Sequence, residues 1–373
     1  MLFENAWIFT SEGGFIHGSF RVEAGRFTEI SERTSGGGVD LQNAHVIPGL
    51  VDIHTHGNSG ADFSDGDAAG LETMARYLAS NGVTGFAPAS MTLPYETLDR
   101  AFATAAQFSA RRPAGCARLL GIQMEGPFFS ERKKGAQNAA YLRLPDFEAF
   151  QRLYDRCGGL VRIVDVAPEL EGAVDFTARA SRLCTVSVAH TDADYDQAGA
   201  VLDAGAAHLT HLFNAMPPIH HRNPGVIGAA AERESVTAEL ICDGMHVHES
   251  AVRMAFKLFP GRICLVSDAL RCCGMPDGIY ELGGQQVFLR EGVARLADGT
   301  IAGSAANLYT CMRRAIAFGI PMEQAILSAT AIPARVLGLT DVGIIRPGAR
   351  ADFVVCDANL ERQAVYLDGA PAA

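Results

Sequence analysis

The chain lacks any uninterrupted apolar stretch of about 18 residues, so nothing in it reads as a membrane-spanning helix. It has no CxxC pair. Its nine cysteines are an odd number, and Cys184, Cys242 and Cys264 sit inside apolar runs, as small core residues do. That pattern speaks against a disulfide framework and fits a reducing cytoplasm. The opening MLFENAWIFTSEGG lacks the basic start and long apolar region of a secretory leader. Positive charge is in short supply: 31 Lys and Arg face 42 Asp and Glu, a net charge of -11. Wholesale binding to nucleic acid or to an anionic membrane is therefore not expected. A local site for a phosphorylated small molecule stays open. No GxSxG elbow and no Walker loop occur, so neither a serine nucleophile nor a nucleoside triphosphate cradle is indicated. Low-complexity sequence is confined to Gly36-Gly37-Gly38, and there is no internal repeat of fixed period.

What is present is apolar and ordered. The 373 residues are 48% hydrophobic and 20% charged, enough for a large core and too apolar for a disordered chain. Both ends look β-rich. Ala6-Thr10, Gly14-Val22 and Arg26-Ile30 are short β-prone pieces separated by glycines; Ala351-Cys356 and Ala364-Leu367 follow the Pro347-Gly348 turn. Pairing of the two ends predicts a small β-sandwich domain from residues 1–47 and 345–373.

The middle, residues 48–344, alternates differently. Eight apolar runs recur: Leu50-Ile53, Val83-Ala87, Leu119-Met124, Val161-Val166, Thr185-Ala189, Ala206-Thr210, Thr237-Cys242 and Arg262-Ser267. Amphipathic stretches such as Ala68-Ser80, Tyr95-Ala110, Pro145-Cys157 and Ser250-Leu258 lie between them. Apolar runs without alternation suit parallel strands buried on both faces. Eight strand–helix units predict an α/β fold, a closed (β/α)8 TIM-type barrel of roughly 250 residues. An open doubly wound sheet would bring a glycine-rich phosphate loop after its first strand, and Leu50-Gly57 is not one. Gly278-Ala302 reads as an insertion of hairpins, and Pro321-Leu337 as one or two closing helices.

Barrel chemistry lies at the C-terminal ends of the strands. His54 and His56 follow the first run, Glu125 the third, His190 the fifth, His211 the sixth and Asp268 the eighth. Alternate residues of a strand point to one side, so the two imidazoles of His54-Thr55-His56 can share one metal ion. Alone, an HxH is more often a surface pair or helix-terminal histidines and Glu125 more often a solvated acid opening a loop, and the bland role of Asp268 is a helix cap. Their repeated placement at strand ends points to a rim of metal ligands instead. His208, inside its run, reads as structural; His17, His45 and His248 belong to no pattern. Metal-activated water is the economical chemistry, since a metal lowers the pKa of bound water to about 7. Asp268 could be both a ligand and a proton shuttle.

In chain order, PGLVDIHTHG, MEGPF, HLFNAMPP, DGMHV, VSDA, IAGSAANL and PGARADFVV resemble the amidohydrolase superfamily, and within it the N-acetylglucosamine-6-phosphate deacetylase family. The resemblance covers nearly the whole chain. It implies hydrolytic removal of the acetyl group from a phosphorylated amino sugar. It implies a divalent metal, one or two per chain, with zinc foremost and iron or manganese alternatives. Glu125, His190 and His211 match the ligands of one metal, and His54 and His56 those of a second, with Glu125 bridging. Asp268 matches the catalytic acid, and His246 the histidine that polarises the substrate. Asn214 and Ala215 match backbone contacts to the phosphate, and Arg222 the phosphate-binding arginine that crosses a homodimer interface. Relatives carry histidine on the loop after Glu125 where this chain has Gln137, which can hydrogen-bond but carries no charge. Cys272-Cys273 has no counterpart in this reading. Rival expectations are an N-acyl amino acid deacylase, a cyclic amidase, or a sugar-phosphate sensor without catalysis.

Overall fold

The structure is a computed structural model that describes residues 1–34 and 36–372. Ser35 and Ala373, both inside the span expected to form the small β domain, lie outside the described residues.

Eight parallel strands follow one another around a barrel in chain order. They are Leu50–Thr55, Val83–Pro88, the interrupted pair Arg118–Leu119 and Ile122–Met124, Val161–Val166, Thr185–Val188, His208–Leu209, Thr237–Ile241 and Ile263–Val266; below they are numbered first to eighth. Regular pairing joins the first to the third and the third to the eighth. Two parallel bridges, Ala89 with Gln123 and Thr55 with Ala269, close the gaps. At the second, His56 N–H donates to the Ala269 carbonyl (2.9 Å) and Asp268 N–H to that of His54 (2.9 Å). The closing seam of the barrel therefore runs through three of the expected site residues.

The strands are buried almost throughout because both faces are covered. One face packs under the surrounding helices, of which Ala68–Ser80 and Tyr95–Arg111 are examples. On the other face, Val51, Ile53, Ala87, Ile163, Ile241, Cys264 and Val266 form a cluster with Ile332, Ala334 and Val336 of the closing helix Ala331–Val336. A cluster drawing on five strands around the ring lies inside the barrel, and the closing helix plugs it. Above this plug the interior turns polar. Gln123, Asp165, Ser187, Thr210, His208 and Glu239 are all buried and joined by hydrogen bonds. Barrel interiors are ordinarily filled by branched apolar residues, so this layer marks the floor of a site.

The expected insertion is a four-stranded antiparallel sheet, Gly278–Leu282, Gln285–Arg290, Val293–Leu296 and Ile301–Ser304, and its last strand bridges to Ala269 at the barrel rim. The chain ends build one seven-stranded sheet. Strand Val39–Pro48, which the sequence reading missed, sits at its centre between Leu2–Phe9 and Phe353–Cys356. Phe20 and Phe353 stand on strands three places apart, about 14 Å in a flat sheet, yet their rings are 5.2 Å apart. The sheet must roll over its own aromatic core, and Phe27 N–H donating to the Ala349 carbonyl (3.0 Å) ties the edge strand Arg26–Ser31 to the segment that leads into Phe353–Cys356. A sandwich thus arises from one continuous sheet. No helix among the described residues is long and apolar enough to cross a membrane.

Candidate functional site

Each expected metal ligand stands where a barrel strand ends, and all six meet. Glu125 is the hub. Its Oε1 lies 3.1 Å from His190 Nε2 and 3.3 Å from His211 Nε2, and those two nitrogens are 3.1 Å apart. Its Oε2 lies 3.3 Å from His56 Nε2, and His54 Nε2 is 3.8 Å from Oε1. Asp268 Oδ1 approaches His56 Nε2 at 3.3 Å and His54 Nε2 at 3.5 Å. Two ligand groups result, Glu125 with His190 and His211, and Glu125 with His54 and His56. All six residues are buried.

The outward ring nitrogens decide which nitrogens face inward. His190 Nδ1–H donates to the Lys133 carbonyl (2.8 Å), His56 Nδ1–H to that of Ala89 (3.2 Å), and His54 Nδ1–H to the Glu239 carboxylate (2.8 Å). Each bond fixes the tautomer that leaves an Nε2 lone pair aimed at Glu125, the orientation a metal-binding histidine needs. His54 Nε2 is buried and has no hydrogen-bond partner among the described residues. Converging imidazole and carboxylate donors with an unpartnered buried nitrogen fit a divalent metal.

The electrostatics agree. Burial works against a proton on His54, but Glu239, Asp268 and Glu125 outweigh it and hold its pKa well above the ordinary histidine value. Burial likewise opposes charge on His56, which Asp268 and Glu125 nonetheless lift to about 10. Burial alone would raise Glu125, yet hydrogen bonds from His190, His211 and His56 pull it well below the carboxylate range. Carboxylates this deep demand positive charge, and protons and a metal cation compete for the same nitrogens.

His56, Glu125, His190, His211 and Asp268 line a cavity of about 330 Å³, within the range of small-molecule sites. Its walls include His246, Gln137, Asn214 and Ala215, and the inserted sheet supplies Leu282 and Ile301. His246 Nδ1 is held by Asp243 at 2.7 Å, and Asp243 also caps the His246 N–H (2.9 Å). Burial opposes charge on His246, but that carboxylate raises its pKa. Gln137 is tied at both ends: Nε2 donates to Glu125 Oε2 (2.8 Å) and Oε1 accepts from Thr92 N–H (2.7 Å). It therefore steers a ligand while lining the cavity. Asn214 turns back on its own loop, its backbone N–H on the His211 carbonyl (2.9 Å) and its amide on those of His211 (3.2 Å) and Leu212 (3.3 Å). Ala215 accepts from Thr191 N–H (3.0 Å). Two expected site residues do not line the cavity: His54 lies buried beneath it, and Arg222 is exposed, beside His221 (2.8 Å).

Sequence reasoning missed Glu239, Asp243 and the Lys133 carbonyl. For Glu239 a signal existed, a lone carboxylate inside the apolar run Thr237-Cys242. Cys272 and Cys273 are buried and free, Cys273 Sγ lying 3.5 Å from the Tyr77 hydroxyl.

Residues 45–371 match the family model described as Amidohydrolase family. The N-acetylglucosamine-6-phosphate deacetylase of Bacillus subtilis (strain 168) is 37% identical over 323 residues, covering 85% of this chain and 81% of that protein. The N-acetylgalactosamine-6-phosphate deacetylase of Escherichia coli O157:H7 is 35% identical, covering 87% of this chain and 86% of that protein. Among solved structures, a mutant N-acetyl-D-glucosamine-6-phosphate deacetylase from Mycobacterium smegmatis, in complex with N-acetyl-D-glucosamine-6-phosphate, superposes with a TM-score of 0.94 at 34% identity, covering 100% of this chain and 99% of that one.

Proposed function

The chain belongs to the amidohydrolase family, and from that premise we propose that it deacetylates N-acetylglucosamine 6-phosphate, giving glucosamine 6-phosphate and acetate. One observation carries the reading: five buried candidate ligands, His54, His56, Glu125, His190 and His211, converge beneath a cavity whose wall also presents His246 and Asp268. Glu125, His190 and His211 would hold one divalent metal, and His54, His56 and Glu125, with Asp268 close by, a second. Zinc is our choice, with iron or manganese suited to the same donors. Such an ion lowers the pKa of water and polarises a carbonyl.

The protein's own groups do the rest. Asp268 takes the proton of the attacking water and returns it to the departing amine. Its carboxyl can do so because, although burial favours the neutral form, His54 and His56 keep it ionised. His246, oriented by Asp243, donates to the oxygen that gains charge, worth about 3 kcal/mol for a well-aimed donor. Gln137 holds Glu125 in place. The phosphate is assigned to the 214–222 loop, with Arg222 reaching from a second subunit of a homodimer. The nine free thiols favour a reducing compartment, the cytoplasm.

Acetate release tests the proposal. Turnover of N-acetylglucosamine 6-phosphate should exceed that of the unphosphorylated sugar and of N-acyl amino acids by orders of magnitude, with the galactosamine epimer as the close competitor. Equal turnover of an N-acyl amino acid would refute it.

A further inference from the structure

We propose that Glu239 is a positioning residue that couples the two metal-ligand groups, so that neither keeps its affinity without it. The inference rests on the metal-site reading above.

Glu239 stands on the inward face of the seventh strand, fully buried. A carboxylate in a barrel interior costs several kcal/mol unless it is fully partnered. Three donors meet it. Oε2 accepts from His54 Nδ1–H (2.8 Å) and from the backbone N–H of His211 (3.1 Å); Oε1 faces His208 Nε2 (3.3 Å). The Glu239 carbonyl also takes the Leu212 N–H (2.9 Å), so the 211–212 turn is pinned to the seventh strand twice. His208 in turn meets the Thr237 hydroxyl at 2.6 Å. Thr237, His208 and Glu239 thus form one chain that runs from a half-buried hydroxyl to a fully buried carboxylate.

The consequence follows from what a carboxylate can do. It only accepts, so His54 must present Nδ1–H to it, which leaves Nε2 as the ring nitrogen turned to a metal. The same oxygen holds the backbone of His211, whose φ of 33° lies in the left-handed region that a β-carbon disfavours. His54 belongs to one ligand group and His211 to the other. Glu239 Oε2 is the atom common to both supports. Loss of its charge should therefore weaken both sites together, whereas loss of a ligand weakens chiefly its own.

The experiment is zinc titration against a chromophoric chelator, on full-length protein stripped of metal and reconstituted. Glu239→Gln should raise the zinc dissociation constant of both sites about 10- to 100-fold, the cost typical of losing a metal ligand's outer partner. The cobalt-substituted form should show an altered visible spectrum. Thr237→Val, which removes only the outer end of the chain and leaves the carboxylate, serves if Glu239→Gln does not fold; zinc binding at the His54 site should weaken a few-fold. Folded Glu239→Gln with both constants within threefold of the parent would overturn the proposal, as would weakening confined to one site, or Thr237→Val with unchanged binding when Glu239→Gln does not fold. If the parent protein itself binds neither zinc nor cobalt, it is the metal reading that fails, and the two failures are told apart.

Discussion

Three residues at the rim hold backbone conformations that side chains ordinarily avoid: His190 at φ 44°, His211 at φ 33° and Asp268 at φ 47°. Such conformations cost of order 1–3 kcal/mol each and persist where surrounding bonds impose them. Here Asp268 is held at both sides, its N–H on the His54 carbonyl (2.9 Å) and its own carbonyl accepting from Ser304 N–H (2.8 Å). Its carboxylate is thereby aimed at His54 and His56. Asp268→Asn keeps the shape but cannot accept a proton. It should fold and retain the metal of the Glu125, His190 and His211 group, with turnover lowered at least about 100-fold. Steady-state kinetics beside elemental analysis checks this; a variant within tenfold of the parent rate would remove the proton-transfer role. The convergence of six candidate ligands was legible in the sequence because strand ends recur at the close of apolar runs. Their supports were not. Nothing local says that Lys133 offers a carbonyl to His190, or that Glu239, 185 residues from His54, lies 2.8 Å from its ring.

At the scale of elements, the apolar runs located the strands because parallel strands buried on both faces announce themselves by composition. Val161–Val166 ends where the sequence places it. The sixth strand shrinks to His208–Leu209, since the backbone turns at Thr210 and His211 to present the ligand. Strand Val39–Pro48 was missed because its first residues, Asp40, Gln42 and Asn43, are polar and only tertiary pairing makes them extended. The closing seam carries a testable element. Gly57 follows His56 directly, and its N–H donates to the Ala269 carbonyl (2.9 Å). A β-carbon at position 57 would collide with the carbonyl oxygen of Ala61 and crowd the backbone of Arg271. Gly57→Ala must displace the Ala61 carbonyl and the Arg271 backbone that flank the seam. We expect a loss of about 1–3 kcal/mol, the usual cost of overpacking, seen as a lower Tm. Zinc affinity should fall most at the His54 and His56 group, which immediately precedes Gly57. An unchanged Tm with unchanged zinc affinity would show that the seam tolerates the methyl group and does not set the ligand geometry.

The whole molecule leaves one expected part of the site outside the cavity. Arg222 lies on the exposed 217–224 segment, held beside His221 and bracketed by prolines that restrict the backbone. Ile219 nearby is 44% exposed and Met245, next to His246, is 48% exposed. A single chain thus presents exposed apolar side chains and, among the described residues, an arginine in no ion pair, which is compatible with a second copy covering this segment. In a two-fold dimer each subunit gives to the other what it receives. An arginine reaching over can grip phosphate oxygens with two parallel N–H bonds, which lysine cannot reproduce. Arg222→Ala should accordingly raise KM for the phosphorylated sugar at least about tenfold, the cost of a charged hydrogen bond, while KM for the unphosphorylated sugar changes little. The reach in trans has its own signature. Arg222→Ala lacks the phosphate contact in both sites, and Asp268→Asn lacks proton transfer in both. In a hybrid dimer, the subunit carrying Arg222→Ala keeps Asp268 and would receive Arg222 from its neighbour, so one site is whole. Random exchange makes half of the dimers hybrid, with one good site in two, so activity should return to about a quarter of the parent level. If subunits exchange, as tagged copies would show, and no activity returns, Arg222 serves its own chain or lies outside the site.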